Sequence, residues 1–483
     1  MTSTFQFKAL SFAVALALAG CATSSGFVPT AVPATPEAFK ESTGPRFVEL
    51  PPADSQPRGE WWRAFHDPVL DDLMARAGGG NTSLQVAAAR VAEARAVLRD
   101  ANSALLPQVG IGAAVVRETV TPGLASKPGE AGNLGTAGLR ASWEPDLFGK
   151  LRQARDAAHL DEQSREALQQ DTRLMVQADV AQAYFGLRAL DAERALLRRT
   201  VDAYNETLRL TERRYQAGDV GELDVARVRA EVASTSSQAL ALDRERALHE
   251  HALAVLLGEL PTRFDLAEAA WNGAVPQVPL GVPGTVLARR PDVAAAQLAM
   301  AAAEARAGVA RKAWFPDIAL TANAGYASTD LGELFQWSAR AWGIGALLSL
   351  PVFDGGHRQA IVQQTEAQWD VAAAAYREQV LGAFRDVEDQ LSSLRLLADQ
   401  ADTEQQAVDA AARATVLSDS RYRAGLVSQL ELLDAQRSEL ANRRTAVQVR
   451  AAQYQATVGL IRALGGDWEA PPVVVARSAR EAS

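Results

Sequence analysis

The chain has 483 residues, 48% of them hydrophobic and 22% charged, with a formal net charge of −9. That length suits roughly two to four domains or one elongated object, and charge of mixed sign offers no basic field to gather nucleic-acid phosphates. The single cysteine, Cys21, excludes an intramolecular disulfide and a thiolate-rich metal site.

At the amino end Lys8 precedes an apolar run, 9–18, followed by Leu18-Ala19-Gly20-Cys21. A positive charge, an apolar stretch and small residues make the layout of a secretory leader, here 1–20. Leu-Ala-Gly-Cys resembles the bacterial lipobox, in which the cysteine thiol takes a diacylglyceryl group and the new amino terminus, after cleavage, is acylated. Ala22, where an aspartate would retain the protein, resembles the signal for onward transport to the outer membrane. Two or three acyl chains anchor stably where one binds marginally. Beyond the leader no stretch approaches ~20 uninterrupted apolar residues, so any membrane crossing must be a β-barrel.

After a lipidated segment, 21–80, the chain is written twice. Arg214-Tyr215-Gln216-Ala217-Gly218 recurs as Arg421-Tyr422-Arg423-Ala424-Gly425, at an offset of 422 − 215 = 207 residues. The same offset maps Val180, Leu187 and Arg188 onto Val387, Leu394 and Arg395. Leu106-Pro107 falls on Phe315-Pro316 at an offset of 209, and Pro145 on Pro351 at 206. The two repeats, 81–270 and 285–465, each read helix, strand, loop, strand, very long helix, tight turn, long helix, with a tail at 466–483.

Asn81 caps a helix that ends before Pro107. A proline-free stretch from Leu151 to Ala217 predicts a helix on the order of 100 Å long, a coiled-coil or helical-tube element. Gly218 stops it, and a partner helix spans 222–257. Gly425 divides helices over 356–424 and 428–464 in the same way, so each repeat carries a hairpin with an exposed tip.

Between the first helix of each repeat and its hairpin lie strands. In 136–144 the residues Ala137, Leu139, Ala141 and Trp143 alternate with Thr136, Gly138, Arg140 and Ser142, a period of two with one apolar face. Residues 318–326 and 342–350 alternate likewise. Such segments resemble outer-membrane barrel strands, with Trp143, Trp314, Tyr326 and Trp342 as interfacial girdles. A soluble half-buried sheet gives the same pattern; the leader and the very long helices favour the barrel. Four strands per chain cannot close a barrel of about eight or more, so insertion demands an oligomer. Segments 122–134 and 328–340 read as polar, turn-rich outer loops.

Catalysis finds no support. A phosphate-binding Gly-x-x-x-x-Gly-Lys loop is absent, Gly110-x-Gly112 and Gly343-x-Gly345 lack the third glycine of a dinucleotide fingerprint, and His249 and His251 leave a helix on different faces. No cofactor or metal is expected, and the chain reads as a non-enzyme.

With these elements in place the chain is identified as similar to the TolC family of outer-membrane efflux proteins, in its lipoprotein, NodT-like branch. The resemblance spans nearly all of the mature chain and rests on Trp61-Trp62-x-x-Phe65-x-Asp67-Pro68-x-Leu70, Trp143-Glu144-Pro145-Asp146-Leu147-Phe148-Gly149, Arg289-Arg290-Pro291-Asp292-Val293, Phe315-Pro316, Pro351-Val352-Phe353-Asp354-Gly355-Gly356 and the doubled Tyr-x-Ala-Gly turn. It implies a mixed α/β membrane protein, a homotrimer whose four strands per chain make a β-barrel continued by a long periplasmic α-helical barrel. It also implies a periplasmic adaptor and an inner-membrane pump of the resistance-nodulation-division class, which supplies the energy, leaving this chain a passive gated duct for drugs or other small molecules.

The resemblance places the periplasmic gate at the hairpin tips: a hydrophobic ring at Leu430, an acidic ring at Asp434, and Leu223 and Arg227 at the equivalent sites of the first repeat. Carboxylates around a narrow axis attract cations and repel anions, and an Arg227–Asp434 pair between neighbouring hairpins would hold the passage shut. Tyr215 and Tyr422 suit gating or interhelical packing equally. Gly218 and Gly425 cap the tips that face the adaptor. Two rivals remain: a type I protein-secretion duct, which keeps the fold, and a non-channel coiled-coil lipoprotein, which needs no alternating strands.

Overall fold

The computed structural model describes residues 36, 38–42, 60–118, 132–271, 273–276 and 289–466. Cys21 and its leader, residues 122–131 of the outer loop read as 122–134, and the tail from 467 lie outside the described residues; residues 132–134 of that loop are strand, because they pair with residues 116–118.

Trp61–Phe65 form a 3-10 turn that leads into helix α1, Pro68–Gly80. Asp67 caps it, its Oδ1 accepting from the amides of Val69 (3.0 Å) and Leu70 (3.3 Å), and Pro68 fills the first position, where no amide is needed. Helix α2, Thr82–Ser103, is capped by Asn81, which accepts from the Ser83 amide at 2.8 Å. There follow strands β1, Gln108–Glu118, and β2, Gly132–Trp143. Helix α3, Lys150–Gln216, has 67 residues, about 100 Å at 1.5 Å per residue. Helix α4, Glu222–Leu256, returns beside it.

The second set runs α5, Pro291–Lys312; β3, Asp317–Ser328; β4, Arg340–Ser349; α6, His357–Arg423; and α7, Gln429–Ala463. Helix α6 has 67 residues like α3, and α7 has 35 like α4. Each helix expected from the sequence is present within a residue or two. Among the described residues no helix is long and apolar enough to cross a membrane.

The strands form one antiparallel sheet in the order β1-β2-β3-β4, so β1 and β4 each keep a free edge. Helix α3 is the hub: it packs on α2 and α5 near the sheet, and on α4 and α7 farther along.

The main core lies where the amino-terminal segment meets α3 and α7. Trp61, Leu70 and Leu73 are fully buried there. Phe65 sits 4.7 Å from the Phe185 ring and 5.7 Å from Tyr454, which also meets Phe185 at 4.6 Å and Trp271 at 4.8 Å. The Tyr184 hydroxyl donates to Asp67 Oδ2 at 2.5 Å, so the residue that caps α1 also ties it to α3. The segment read as a lipidated leader-side stretch is thus, from 61 onward, part of the core.

Beside it lies a buried ionic lattice. Asp191 accepts from Arg188 at 2.9 Å and from Arg246 at 2.7 Å, and Arg194 reaches Asp243 and Glu268. Arg188 also donates to the Ala267 carbonyl and Arg246 to the Leu266 carbonyl and to Glu250, so the lattice straps the chain after α4 onto the hairpin.

The outer loop 328–340 departs from expectation. It contains 3-10 turns at Leu331–Glu333 and Trp337–Ala339 and is not uniformly polar. Leu331 and Leu334 pack over Gly135 of β2, where a side chain would collide, while Phe335 and Trp337 stay exposed.

Candidate functional site

The sheet carries its chemistry on two faces. Along one, rows such as Ile111, Leu139, Ala324 and Trp342 run across all four strands. This face is open: Ile111 is 87% exposed, Ile344 82% and Trp342 77%. The other face shows Thr136, Arg140, Ser142, Thr321 and Asn323, with Gly138 opposite Gly325. A Cβ on either glycine would strike the carbonyl of the facing strand, so this pair lets β2 and β3 approach closely.

Aromatic residues collect at both ends of the sheet. Trp143, Trp314, Phe148 and Phe315 lie at the helix-proximal end, where Phe148 stacks on Phe315 at 4.9 Å. Trp342, Trp337, Phe335 and Tyr326 lie at the far end, with Tyr326 and Phe335 in edge contact at 5.7 Å. The sequence reading found Trp143, Trp314, Tyr326 and Trp342 and missed the others, whose signal was an aromatic just outside a strand.

At the opposite end of the long helices are the two hairpin tips. Gly218 (φ 83°) and Gly425 (φ 72°) hold the left-handed turns that stop α3 and α6. At each, the next residue donates back across the turn, Asp219 to the Arg214 carbonyl and Leu426 to the Arg421 carbonyl.

The two tyrosines differ. Tyr422 is buried, its hydroxyl 3.3 Å from Thr211 Oγ1 and its ring under the Arg214 guanidinium at 4.6 Å. Arg214 also donates to the Tyr422 carbonyl at 3.2 Å, and Gln429 donates to Thr211 Oγ1 at 3.1 Å. This node joins the first hairpin to the second. Tyr215 points outward and is half exposed. Thr211, Arg214 and Gln429 had no role from the sequence, because the repeat partners of Thr211 and Gln429 are Ser418 and Glu222 and the node has no symmetric copy.

Leu223 and Leu430 occupy the first turns of α4 and α7, both largely exposed. Asp434 is exposed one turn farther along α7. Arg227 reaches Asp224 at 3.8 Å, on its own helix, and is not paired with Asp434 of the same chain. The ion pair that does link α4 to α7 joins Glu231 to Arg437.

A cleft of ≈ 460 Å³ opens between α3, α5, α6 and α7, lined by Asp171, Met175, Arg290, Asp292, Asp386 and Arg462. Arg290 grips Asp292 at 2.6 Å and Asp386 at 3.3 Å. Burial works against the Asp292 charge, yet the guanidinium prevails and holds its carboxyl below the usual range. Asp171 has no such partner; burial first, then the Asp292 charge, pushes it up to about 6 against the pull of Arg290 and Arg462. Among the described residues no group of histidine, cysteine and carboxylate side chains could hold a metal ion.

The family model for outer membrane efflux proteins matches residues 73–259 and again 282–466. The chain is 33% identical over 468 residues to a probable efflux pump outer membrane protein, TtgC, of Pseudomonas putida, covering 95% of each. It is 34% identical over 439 residues to the pyoverdine export outer membrane protein OpmQ of Pseudomonas aeruginosa, covering 89% of this chain and 92% of that one. Among solved structures, the outer-membrane channel OprN superposes with a TM-score of 0.84 at 29% identity, covering 91% of this chain and 98% of OprN. The outer membrane protein VceC of Vibrio cholerae superposes with a TM-score of 0.77 at 29% identity, covering 86% and 100%.

Proposed function

Because the chain belongs to the outer membrane efflux protein family, we propose that copies of it close their sheets into one barrel through the outer membrane and serve as the exit duct of a tripartite efflux system. The sheet carries the reading. Its apolar face has no protein cover, and each large side chain there gains about 1.5–3 kcal/mol on leaving water. Its two free edges need partners that water cannot replace inside a bilayer. Three copies meet both demands with twelve strands, and α3 and α6 of each continue the wall into the periplasm.

The chain reads as a tandem duplication, supported by the matched helix lengths and the paired family matches. Lipids on Cys21 would add an anchor. A periplasmic adaptor would seat on the tips around Gly218 and Gly425, and a resistance-nodulation-division pump would drive transport through a passive pore. Leu223 and Leu430 would narrow the lumen at the tips and Asp434 would set a ring of negative charge. Relatives named for toluene efflux and pyoverdine export support a small-molecule cargo.

Deletion and complemented strains compared across antibiotics, dyes, solvents and organic acids, with secreted proteins profiled beside them, test the reading. Sensitisation to several unrelated small molecules is expected. Loss of one secreted polypeptide without sensitisation would move the protein to protein export.

A further inference from the structure

The cleft of ≈ 460 Å³ between α3, α5, α6 and α7 has the size of pockets that hold small organic molecules. Its walls all come from one chain. On α3, Ser164, Leu168, Asp171 and Met175 recur at helical spacing and make one stripe. Facing them on α5 are Ala295, Ala296 and Ala299, whose short side chains leave the space open. The Ser164 hydroxyl donates to the Ala295 carbonyl at 2.9 Å and joins the two helices beside the cleft.

The charges divide into a closed group and an open one. Arg290 holds Asp292 and Asp386 and donates to the Ala463 carbonyl at 3.1 Å, while Gln379 donates to Asp292 at 2.6 Å. Asp171 accepts no hydrogen bond and forms no ion pair among the described residues. Arg462 rests its Nη1 on the Met175 sulfur at 3.7 Å, and its charge is shared between Asp171 and Asp179, two turns farther along α3. Three carboxylates against two guanidinium groups line the cleft, so its field favours a cation.

The junction of helices does not itself need these charges. Helices α2 and α5 are displaced by 209 residues (82 to 291) and α4 and α7 by 207 (222 to 429). By these offsets Arg290, Asp292 and Arg462 stand where the first repeat has Asn81, Ser83 and Val255. There Asn81 donates to the Leu256 carbonyl at 2.7 Å, as Arg290 does to Ala463, and the contact is made without a charge.

We propose that the cleft is a binding site for a small organic cation, its ammonium group against the Asp171 carboxylate and its apolar body along Leu168, Met175 and Ala299. The ammonium supplies the charge-assisted hydrogen bonds that Asp171 lacks, and the ligand ties α3 to α5. Binding has a pH signature. Asp171 takes up a proton at about 6, raised by burial and by Asp292 of α5 and lowered by Arg290 and by Arg462 of α7; Asp386 of α6 is held by Arg290. A cation competes with that proton, so its affinity should fall about tenfold from pH 7.5 to pH 5.

The test uses the full chain purified in detergent and needs no pore activity, so its failure leaves the channel reading standing. Ring-fluorinated phenylpropylammonium, phenylpropanol and phenylpropanoate share one apolar body and differ in charge; fluorine NMR reads their binding. At pH 7.5 the ammonium should bind about tenfold more tightly than the other two. Asp171→Asn, checked for folding by thermal unfolding, should lose that preference. Arg462→Gln removes the guanidinium that competes for Asp171 and should strengthen ammonium binding about threefold, a gain that a damaged fold would not produce. Equal binding of ammonium and alcohol, a preference for the propanoate, or an ammonium preference that survives Asp171→Asn would overturn the site.

Discussion

Asp171→Asn should stabilise the protein at neutral pH and change little in acid. The carboxyl sits in the cleft between α3, α5, α6 and α7, where burial and the Asp292 charge lift it from 3.8 to about 6. Native Asp171 therefore binds its proton more tightly than in the unfolded chain. Its charge costs stability as pH rises from about 4 to about 6, and the full cost stands above that window. Two units at about 1.4 kcal/mol each give about 3 kcal/mol. The group keeps partial access to solvent, which screens this to about 1–2 kcal/mol. For a chain of this size that is a change in Tm of about 1–2 °C. Thermal unfolding of the purified protein and the variant, in one detergent at pH 4.5 and pH 7.5, measures it. The variant should lead at pH 7.5 and the gap should narrow to roughly a third of that at pH 4.5. Equal gaps at both pH values, or a variant less stable at pH 7.5, would refute the argument.

Two further substitutions probe the strap and the gate. Asp191→Ala takes from the buried Arg188 its carboxylate partner and leaves Arg246 with Glu250 alone, which should cost about 3–5 kcal/mol; the readout is the yield of folded protein and its unfolding temperature, and an unchanged Tm would count against the lattice as a structural strap. Asp434→Ala should raise single-channel conductance in a planar bilayer and sensitise cells to antibiotics, whereas unchanged conductance would remove the acidic ring from the gate.

Much of this architecture is legible in the amino acids. The long proline-free runs, each stopped at Gly218 or Gly425, give α3 and α6 within a residue or two. The alternation through Leu139 and Trp143, and through Leu320 and Ile344, gives the strands and their apolar face, because period two is a local property. What escaped is what depends on distant partners. Trp61, Phe65 and Leu70 read as an amino-terminal motif, yet their burial comes from Phe185 and Tyr454, far along the chain. Tyr215 and Tyr422 stand at equivalent repeat positions, and only the neighbouring helix decides that one is solvated and the other holds Thr211. Strand β1, with Gly110, Gly112, Ala113 and Ala114, carries little pattern and is defined by its pairing with β2. The loop over 328–340 looked polar from its serine, aspartate and glycine, but Leu331 and Leu334 fold back on Gly135.

The central claim is that the sheet is a membrane wall with lipid on one face and water on the other. Single cysteines at Asn323 and Gly345 on the polar face, and at Ile111 and Ile344 on the apolar face, can be placed in the full chain in native outer membranes and exposed to a water-soluble maleimide. The account predicts labelling at Asn323→Cys and Gly345→Cys and protection at Ile111→Cys and Ile344→Cys, lifted when detergent replaces the lipid. Equal labelling of both faces in the intact membrane would contradict it and leave a water-exposed sheet on a coiled-coil lipoprotein.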